Sequence, residues 1–330
     1  MKKLLGLLAC ISLLIALCAM TASAETLTGE CGIGFTYSFD KDTGVLTIYG
    51  DGEMKNVYTG RFKAFRDDVT EVIVEGNVPE ATDAFFWYFK NLARVTLPSS
   101  ITSIDNDVFF GCDTLTQVTV LGTLTSIGSG AFGMCANLQS VELFCDGLTI
   151  GNDAFYRCEA LTKITLSGTV TSIGQMAFYR CANLQSIEFS ADNLVTDFEA
   201  FADCSSLETV TVRGDVSLIG AHAFSDCENL KSVHVLGNVD QMEYYIFSDC
   251  TSLTDFTVQG TIGKMDSSVF HDCDTLANVI DGIEYYKISG NEYYALFTMT
   301  NWAPEDVTVS EKTRYIFPGA LIDARYIDVD

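Results

Sequence analysis

A phenylalanine returns every 23 residues through most of this 330-residue chain, and this restricts the fold to a regular repeat. From position 112 to position 273, a cysteine lies three residues after each of these phenylalanines, and a leucine lies three residues after each cysteine. Two alternating apolar positions follow, so that the unit reads I-G-x-x-A-F-x-x-C-x-x-L-x-x-V-x-V. The repeated Phe positions are 86, 109, 132, 155, 178, 201, 224, 247 and 270. One unit has too few apolar positions to close a core, so neighbouring units must stack into a solenoid.

The unit has two parts with different periods. Its V-x-V part alternates with period two, which is typical of a short strand with one buried face. Its A-F-x-x-C-x-x-L part has spacings of three and four, which predict a tight helical or 3-10 turn. We therefore expect an α/β-type repeat solenoid with one long parallel sheet and short helical or 3-10 turns on the opposite side. Identical residues should lie in columns about 4.8 Å apart.

A second rhythm of 46 residues is superposed on the first. The sequence Ala136-Asn137-Leu138-Gln139-Ser140 returns at 182–186, two units later. This spacing indicates that the array grew by duplication of pairs of units.

The two ends of the chain depart from the repeat. Residues 1–24 begin with lysines, continue as an apolar run and end in Ala22-Ser23-Ala24, which predicts a signal peptide cleaved after Ala24. No second apolar run of membrane-spanning length follows, so we expect no transmembrane anchor in the mature chain. We assign 25–68 to an N-terminal β-hairpin cap, 69–281 to the regular repeats, 282–306 to a hairpin insertion that turns at 289–291, and 307–330 to a degenerate terminal repeat.

The 23-residue unit resembles the BspA-like leucine-rich repeats of bacterial surface and secreted proteins. The N-terminal stretch TGECGIGFTYSFDKDTGVLTIYGDGEM resembles the segment that often precedes such repeats. The resemblance covers nearly all of 25–330. It implies an adhesion or host-protein-binding module without a common catalytic site, and it transfers no binding residue, because the family has no binding motif to match. The mature chain also lacks an N-x-Ser/Thr sequon, which favours a bacterial source.

Several motifs resemble chemical sites but fit the repeat better. Side chains in a straight cysteine column point in parallel, which disfavours disulfides, and they do not converge as zinc ligands must. Phe89 fills the same slot one unit earlier, so we expect a buried apolar column of thiols. Gly128-Ser-Gly-Ala-Phe-Gly133 matches GxGxxG, but 23 residues leave no room for a dinucleotide-binding βαβ unit. Asp40-x-Asp42-x-Gly44 is expected to be a hairpin turn rather than a calcium loop. We expect no catalytic, cofactor-binding or metal-binding residue.

Charge narrows the choice of partner. The mature chain has 17 Lys and Arg against 44 Asp and Glu, a formal charge of −27, which makes nucleic acid an unsuitable partner. Our leading hypothesis is a secreted or cell-surface, non-catalytic, adhesin-like module that binds a host matrix or cell-surface protein. A spacer or carrier array that displays another domain is the alternative. Glycan binding or glycan hydrolysis is held as a weaker possibility.

Two surfaces are candidates for partner contact. The first consists of outward residues of the repeated strands, since repeat proteins commonly bind through an extended sheet face, although exposed threonines also suit any strand. The second is the pair of strands of the hairpin insertion, where tyrosines either pack on the solenoid or stay exposed. The candidate residues are Gln117, Thr119, Leu121, Ser140, Glu142, Phe144, Lys163, Thr165, Glu188, Thr211, Arg213, His234, Leu236, Tyr285, Tyr286, Tyr293 and Tyr294.

Overall fold

The computed structural model describes residues 25–32, 34–52, 54, 62–82, 84–266, 268–273, 275, 277–280, 283–287, 293–299, 306–309 and 326–329, with side chains described through residue 275. The predicted signal peptide, 1–24, and the predicted turn at 289–291 lie outside the described residues.

The described chain is built almost wholly from strands and turns. The strands of the first half are β1 (Thr26–Gly32), β2 (Phe35–Asp40), β3 (Val45–Asp51), β4 (Glu71–Asn77), β5 (Glu80–Ala81), β6 (Arg94–Leu97), β7 (Ser103–Ile104), β8 (Gln117–Ile127), β9 (Ser140–Ile150), β10 (Lys163–Ser167) and β11 (Thr169–Ile173). Those of the second half are β12 (Ser186–Thr196), β13 (Thr209–Arg213), β14 (Val216–Ile219), β15 (Ser232–Val235), β16 (Val239–Met242), β17 (Asp255–Val258), β18 (Ile262–Met265), β19 (Ala277–Ile280), β20 (Ile283–Lys287), β21 (Tyr293–Met299), β22 (Asp306–Val309) and β23 (Tyr326–Val329).

Strands β1 to β18 form one 18-stranded sheet, in which all the repeat strands pair in parallel. The expected long parallel sheet is therefore present. Pairing follows the 23-residue register, as in Ser186↔Thr209↔Ser232↔Asp255. The V-x-V residues set this register, because a slip of one residue would turn the whole apolar face outward.

Each turn of the solenoid contributes to two parallel ladders rather than one. Ladder A contains the predicted V-x-V strands, for example β13, β15 and β17. Ladder B contains a second strand, which begins seven residues after the first in the examples β14, β16 and β18. The long strands β8, β9 and β12 run through the corner between the ladders. Ladder B was not foreseen.

The A-F-x-x-C-x-x-L segments are consecutive β-turns, and the helical form expected for them is not found. Among the described residues the helix is limited to one 3-10 turn, Arg66–Asp68. The reason is a positive φ at two places in every segment from Phe86 to Phe247, as at Asp153 (55°) and Arg157 (55°), which a right-handed helix excludes. Tyr156 and Cys158 instead close local turns, donating N–H to the residues three positions back.

Backbone N–H groups of the residues between these local bonds donate to carbonyl groups of the following repeat unit. Phe155 N donates to Ala177 O at 2.7 Å, and Arg157 N donates to Tyr179 O at 2.8 Å. Backbone polar groups are thus satisfied on the turn side as well as in the sheet, which a stack with a dry core requires.

The core consists of the expected columns. The repeated Phe and Cys residues and the repeated Leu residues from 92 to 253 are buried, together with most inward residues of both ladders. Adjacent Phe rings from 86 to 270 are stacked, with centroids 4.9 to 5.6 Å apart. The stack runs along the axis and joins each turn to the next.

The N-terminal strands form an antiparallel β1–β2–β3 sheet whose last strand pairs in parallel with β4. Phe39 and Phe65 stack at 4.5 Å beneath this sheet. Cap strands therefore cover the first ladder strand and continue its hydrogen bonding. Strands β19, β20 and β21 form a separate antiparallel sheet, and β22 pairs in parallel with β23.

Candidate functional site

The outward side of ladder A, here called the strand face, carries the predicted residues of 117–236. Burial alternates along each strand, as in β13, where Val210 and Val212 are buried while Thr209 and Arg213 are exposed. Thr119, Thr165, Thr211, His234 and Leu236 are half-buried, and the remaining predicted residues of this face are exposed: Gln117, Leu121, Ser140, Glu142, Phe144, Lys163, Glu188 and Arg213.

The most apolar part of the strand face lies at the corner with ladder B. Leu121 is 52% exposed, Phe144 54% and Val195 36%. A strict 23-residue register would place Leu121 directly beside Phe144, but Phe144 pairs with Thr123, because the register shifts between Thr119 and Thr123. The irregularity leaves the side chains of Leu121 and Phe144 exposed close together at a bend. A single exposed apolar residue would need no explanation, but two together do.

Charged pairs and shallow depressions cover the rest of the strand face. Arg213 donates to Glu188 Oε1 from Nε at 2.7 Å, and His234 Nε2 lies 3.1 Å from Asp255 Oδ2. An open depression of about 360 Å³ is lined by Lys163, Ser186, Glu188, Ser190 and Arg213, among others. Such a surface offers hydrogen bonds and charge over several turns without an enclosed cavity.

The core beneath this face leaves little space. The void under Phe189, Thr196 and Phe201 is about 20 Å³, enough for at most one water. Thr196 Oγ1 donates to Leu218 O at 3.3 Å and accepts from Gly220 N at 3.3 Å, so its buried hydroxyl is satisfied within the protein.

The cysteine column is buried and unpaired by disulfides, as expected. All ten cysteines of the described part are buried thiols outside any disulfide. Each column thiol donates to the carbonyl of a Phe 26 residues earlier, as Cys158 Sγ does to Phe132 O at 3.1 Å. Burial raises the pKa of Cys158 to about 12, which leaves its nucleophilic thiolate scarce at neutral pH. Cys145 lies outside the column, inside β9.

The other motifs that resemble chemical sites are also accounted for. Asp40 Oδ1 accepts from Asp42 N at 2.9 Å and from Thr43 N at 3.2 Å, and Gly44 has φ of +73°, so this stretch is the β2–β3 hairpin turn. The GxGxxG stretch follows β8 and enters the turn segment of the repeat rather than a helix. Within the described residues, no group of three or more His, Cys, Asp or Glu is arranged to hold a metal ion.

The predicted tyrosines lie on paired strands. Strands β20 and β21 are antiparallel, with Tyr286 opposite Tyr294 and Tyr285 opposite Leu296. Side chains of Tyr285, Tyr286, Tyr293 and Tyr294 lie outside the described part, so their role in contact remains a prediction.

Exposed aromatic residues on the turn segments were missed. Trp87 is 47% exposed, Tyr244 47% and Tyr245 37%. The sequence could have revealed Tyr245, because it is an aromatic residue two residues before Phe247, at a repeat position that holds Asp153, Met176 or Glu199 in other units. In the described residues, no helix is both long enough and apolar enough to cross a membrane.

Comparison with known proteins identifies the repeat. A profile of the BspA type leucine rich repeat region matches in six copies, over residues 37–162, 80–205 and 148–277. No functionally curated protein matches the chain in sequence.

Solved structures with similar chains are bacterial. A leucine-rich repeat protein of Bacteroides ovatus is 18% identical with a TM-score of 0.41, over 94% of this chain and 90% of that one. A leucine rich cell surface protein of Faecalibacterium prausnitzii is 18% identical with a TM-score of 0.36, over 94% and 96%. A leucine-rich repeat protein of T. pallidum is 21% identical with a TM-score of 0.39, over 67% and 88%. Because the repeat profile covers most of the chain, the protein belongs to the BspA-type leucine-rich repeat family.

Proposed function

We propose that this protein is an exported, non-catalytic, adhesin-like module that binds a host matrix or cell-surface protein through its strand face. The observation that carries the proposal is the combination of a dry, fully columnar core with an outward face that exposes Leu121 and Phe144 beside polar depressions. Large exposed apolar side chains within a polar surface are typical of protein-contact sites. The leader at 1–24, cleaved after Ala24, would export the chain to the cell surface or medium.

The geometry also says what kind of contact to expect. Parallel columns repeat each contact at about 4.8 Å, so a partner that lies along several turns gains many weak polar contacts. The apolar corner supplies the desolvated anchor that usually dominates such interfaces. Fixed backbone hydrogen bonds on both sides of the stack keep this surface preorganised, which lowers the entropic cost of binding.

Binding of residues 25–330 to immobilised matrix proteins and to intact host cells tests the proposal. We expect saturable binding at micromolar concentration, weakened about tenfold or more by Phe144→Ser. Trp87→Ser is the matched control, because it removes an equally exposed aromatic side chain from a turn segment, and it should leave binding unchanged.

A Tyr293→Ser variant separates the hairpin from the strand face. If Tyr293→Ser abolishes binding while Phe144→Ser does not, the partner contacts the hairpin and the strand-face assignment is wrong. Absence of saturable binding to any protein or cell would overturn the proposed function and favour the spacer array. Binding to a glycan array alone would replace the protein partner with a carbohydrate.

A further inference from the structure

A cluster of aromatic rings, here called the aromatic patch, lies on the turn segments of 197–273. It consists of Phe198, His222, Tyr244, Tyr245 and His271. Each ring contacts at least one other: His222 lies 5.3 Å from Tyr245 and 5.7 Å from Tyr244, and Tyr245 lies 5.2 Å from His271, between centroids. Tyr244 and Tyr245 stay 47% and 37% exposed. The repeat needs none of these aromatics, because other turns hold Met176 at the position of His222 and Tyr245, Gln175 at that of Phe198 and Tyr244, and Ser248 at that of His271.

A row of aspartates runs beside the patch. Asp203, Asp226, Asp249 and Asp272 each lie two residues after the core Phe of successive turns. Backbone bonds join these turns, with Asp203 N donating to Ser225 O at 3.0 Å and Asp226 N to Ser248 O at 2.9 Å. Asp226 and Asp249 form no ion pair with a cationic side chain in the described part. Burial and the neighbouring charges of Asp203 and Asp249 raise the pKa of Asp226.

The sequence makes this region strongly negative. Turn segments 197–207, 220–230, 243–253 and 266–276 together contain ten Asp and Glu residues and no Lys or Arg. Backbone conformation partly explains why Asp occupies the four positions of the row, since each has a positive φ that Asp tolerates well. It does not explain the missing cations, because Arg157 and Arg180 occupy the same position in the two preceding turns.

The protein itself shows what an acidic, aromatic surface of this kind recognises. Arg180 lies immediately before the row, one turn from Asp203. Its Cζ lies over the Tyr179 ring at 5.2 Å, and its Nε donates to Asp203 Oδ2 at 3.1 Å. One guanidinium is thus held by an aromatic face and a carboxylate together. In the next turns Asp226 and Asp249 repeat the carboxylate, while the position of Tyr179 holds Ser225 and Ser248. Aromatic rings are supplied there by Tyr244 and Tyr245, from positions just before the core Phe247.

We propose that the aromatic patch and the aspartate row bind an arginine- or lysine-rich segment of a partner protein. Cationic side chains of that segment pair with Asp226 and Asp249 and lie against the rings of Tyr244 and Tyr245. This surface lies on the turn segments rather than the strand face, so the inference is independent of the function proposed above.

Fluorescence anisotropy with a labelled octa-arginine peptide tests the inference on residues 25–330. We expect saturable binding that weakens as salt rises, because the contacts are between exposed charges. The double variant Asp226→Asn/Asp249→Asn should bind about tenfold or more weakly. Tyr245→Ser should lose about three- to tenfold, whereas Tyr245→Phe keeps the ring and should bind as the parent does.

The matched control is Asp146→Asn/Asp192→Asn. It removes the same number of charges from exposed positions of β9 and β12, away from the turn segments. We expect less than a twofold effect. Equal losses in the two double variants would show diffuse attraction to an acidic protein and overturn the site, and so would absence of peptide binding. Circular dichroism of every variant establishes that it is folded, and carbodiimide cross-linking of an octa-lysine peptide to Asp226 or Asp249 gives an independent readout on the unaltered chain.

Discussion

The stacked phenylalanine column predicts a coupling energy that can be measured directly. Phe178 lies between Phe155 at 5.0 Å and Phe201 at 4.9 Å, with interplanar angles of 5° and 2°. Phe178→Leu removes roughly 20 Å³ of side chain, worth about 0.5 kcal/mol as residual cavity. It also removes two ring contacts of about 0.5 to 1.5 kcal/mol each. The free energy of unfolding should therefore fall by about 1.5 to 3.5 kcal/mol.

Urea denaturation followed by circular dichroism provides the assay, arranged as two double-mutant cycles. The Phe155→Leu/Phe178→Leu cycle should give a coupling of about 0.5 to 1.5 kcal/mol, because these rings are in contact. The Phe155→Leu/Phe201→Leu cycle joins rings two turns apart and should give no more than about 0.5 kcal/mol. Equal coupling in the two cycles would refute the view that stacking between adjacent turns, rather than general burial, stabilises the column.

Three further predictions concern thiols, a glycine and a carboxylate. A maleimide at pH 8 should not modify Cys158 in folded protein but should modify it fully in urea-unfolded protein, because burial raises the pKa of this thiol to about 12. Detection of labelled Cys158 in folded protein by mass spectrometry would contradict this. Gly168→Ala should lower the free energy of unfolding by about 2 to 4 kcal/mol, because the added Cβ would overlap the Cys145 carbonyl oxygen. In Gly147→Ala the added Cβ meets nothing nearer than 4.0 Å, so this variant should lose only about 1 kcal/mol. Similar melting temperatures for the two variants would count against the close approach at Gly168. The raised pKa of Asp226 means that its folded form holds a proton more tightly than the unfolded form, so its charge lowers stability at neutral pH and this cost is lost as the pH falls below the carboxyl range. Asp226→Asn should therefore raise the free energy of unfolding at pH 7, by less than about 1 kcal/mol because the carboxylate is largely solvated, and should not raise it at about pH 3. Urea denaturation at the two pH values measures this, and a variant less stable than the parent at pH 7 would show that the sign is wrong.

The sequence predicted the columns because their period is long and regular. Positions such as Phe178, Cys181 and Leu184 recur in so many units that their burial could be expected without a structure. Ladder B was not predicted because its strands do not alternate with period two: in β16 the buried residues are Val239 and Met242, three positions apart.

The turn conformation could not be predicted from residue spacing. Spacings of three and four in A-F-x-x-C-x-x-L fit a helix equally well, and residues such as Met134 and Arg157 give no sign of the positive φ that they adopt. The register shift that separates Leu121 from Phe144 was hidden for a similar reason, since the spacing of 23 residues is restored by a compensating shift between Leu124 and Ser126. The alternating pattern of apolar and polar residues predicts which side chains of a strand face outward. A single sequence does not show which partner those side chains bind.

Asparagine hydrogen bonds between turns recur every 46 residues from position 91 to position 229. In each case Nδ2 donates to a backbone carbonyl 24 residues earlier, at 2.6 to 2.7 Å: Asn91, Asn137, Asn183 and Asn229. Intervening turns use other partners, such as Thr114 Oγ1 to Lys90 O at 2.8 Å. The translational unit of the solenoid is therefore a pair of turns. Recombination that gains or loses 46 residues would preserve every cross-turn bond, so relatives should differ in length by whole pairs more often than by single turns.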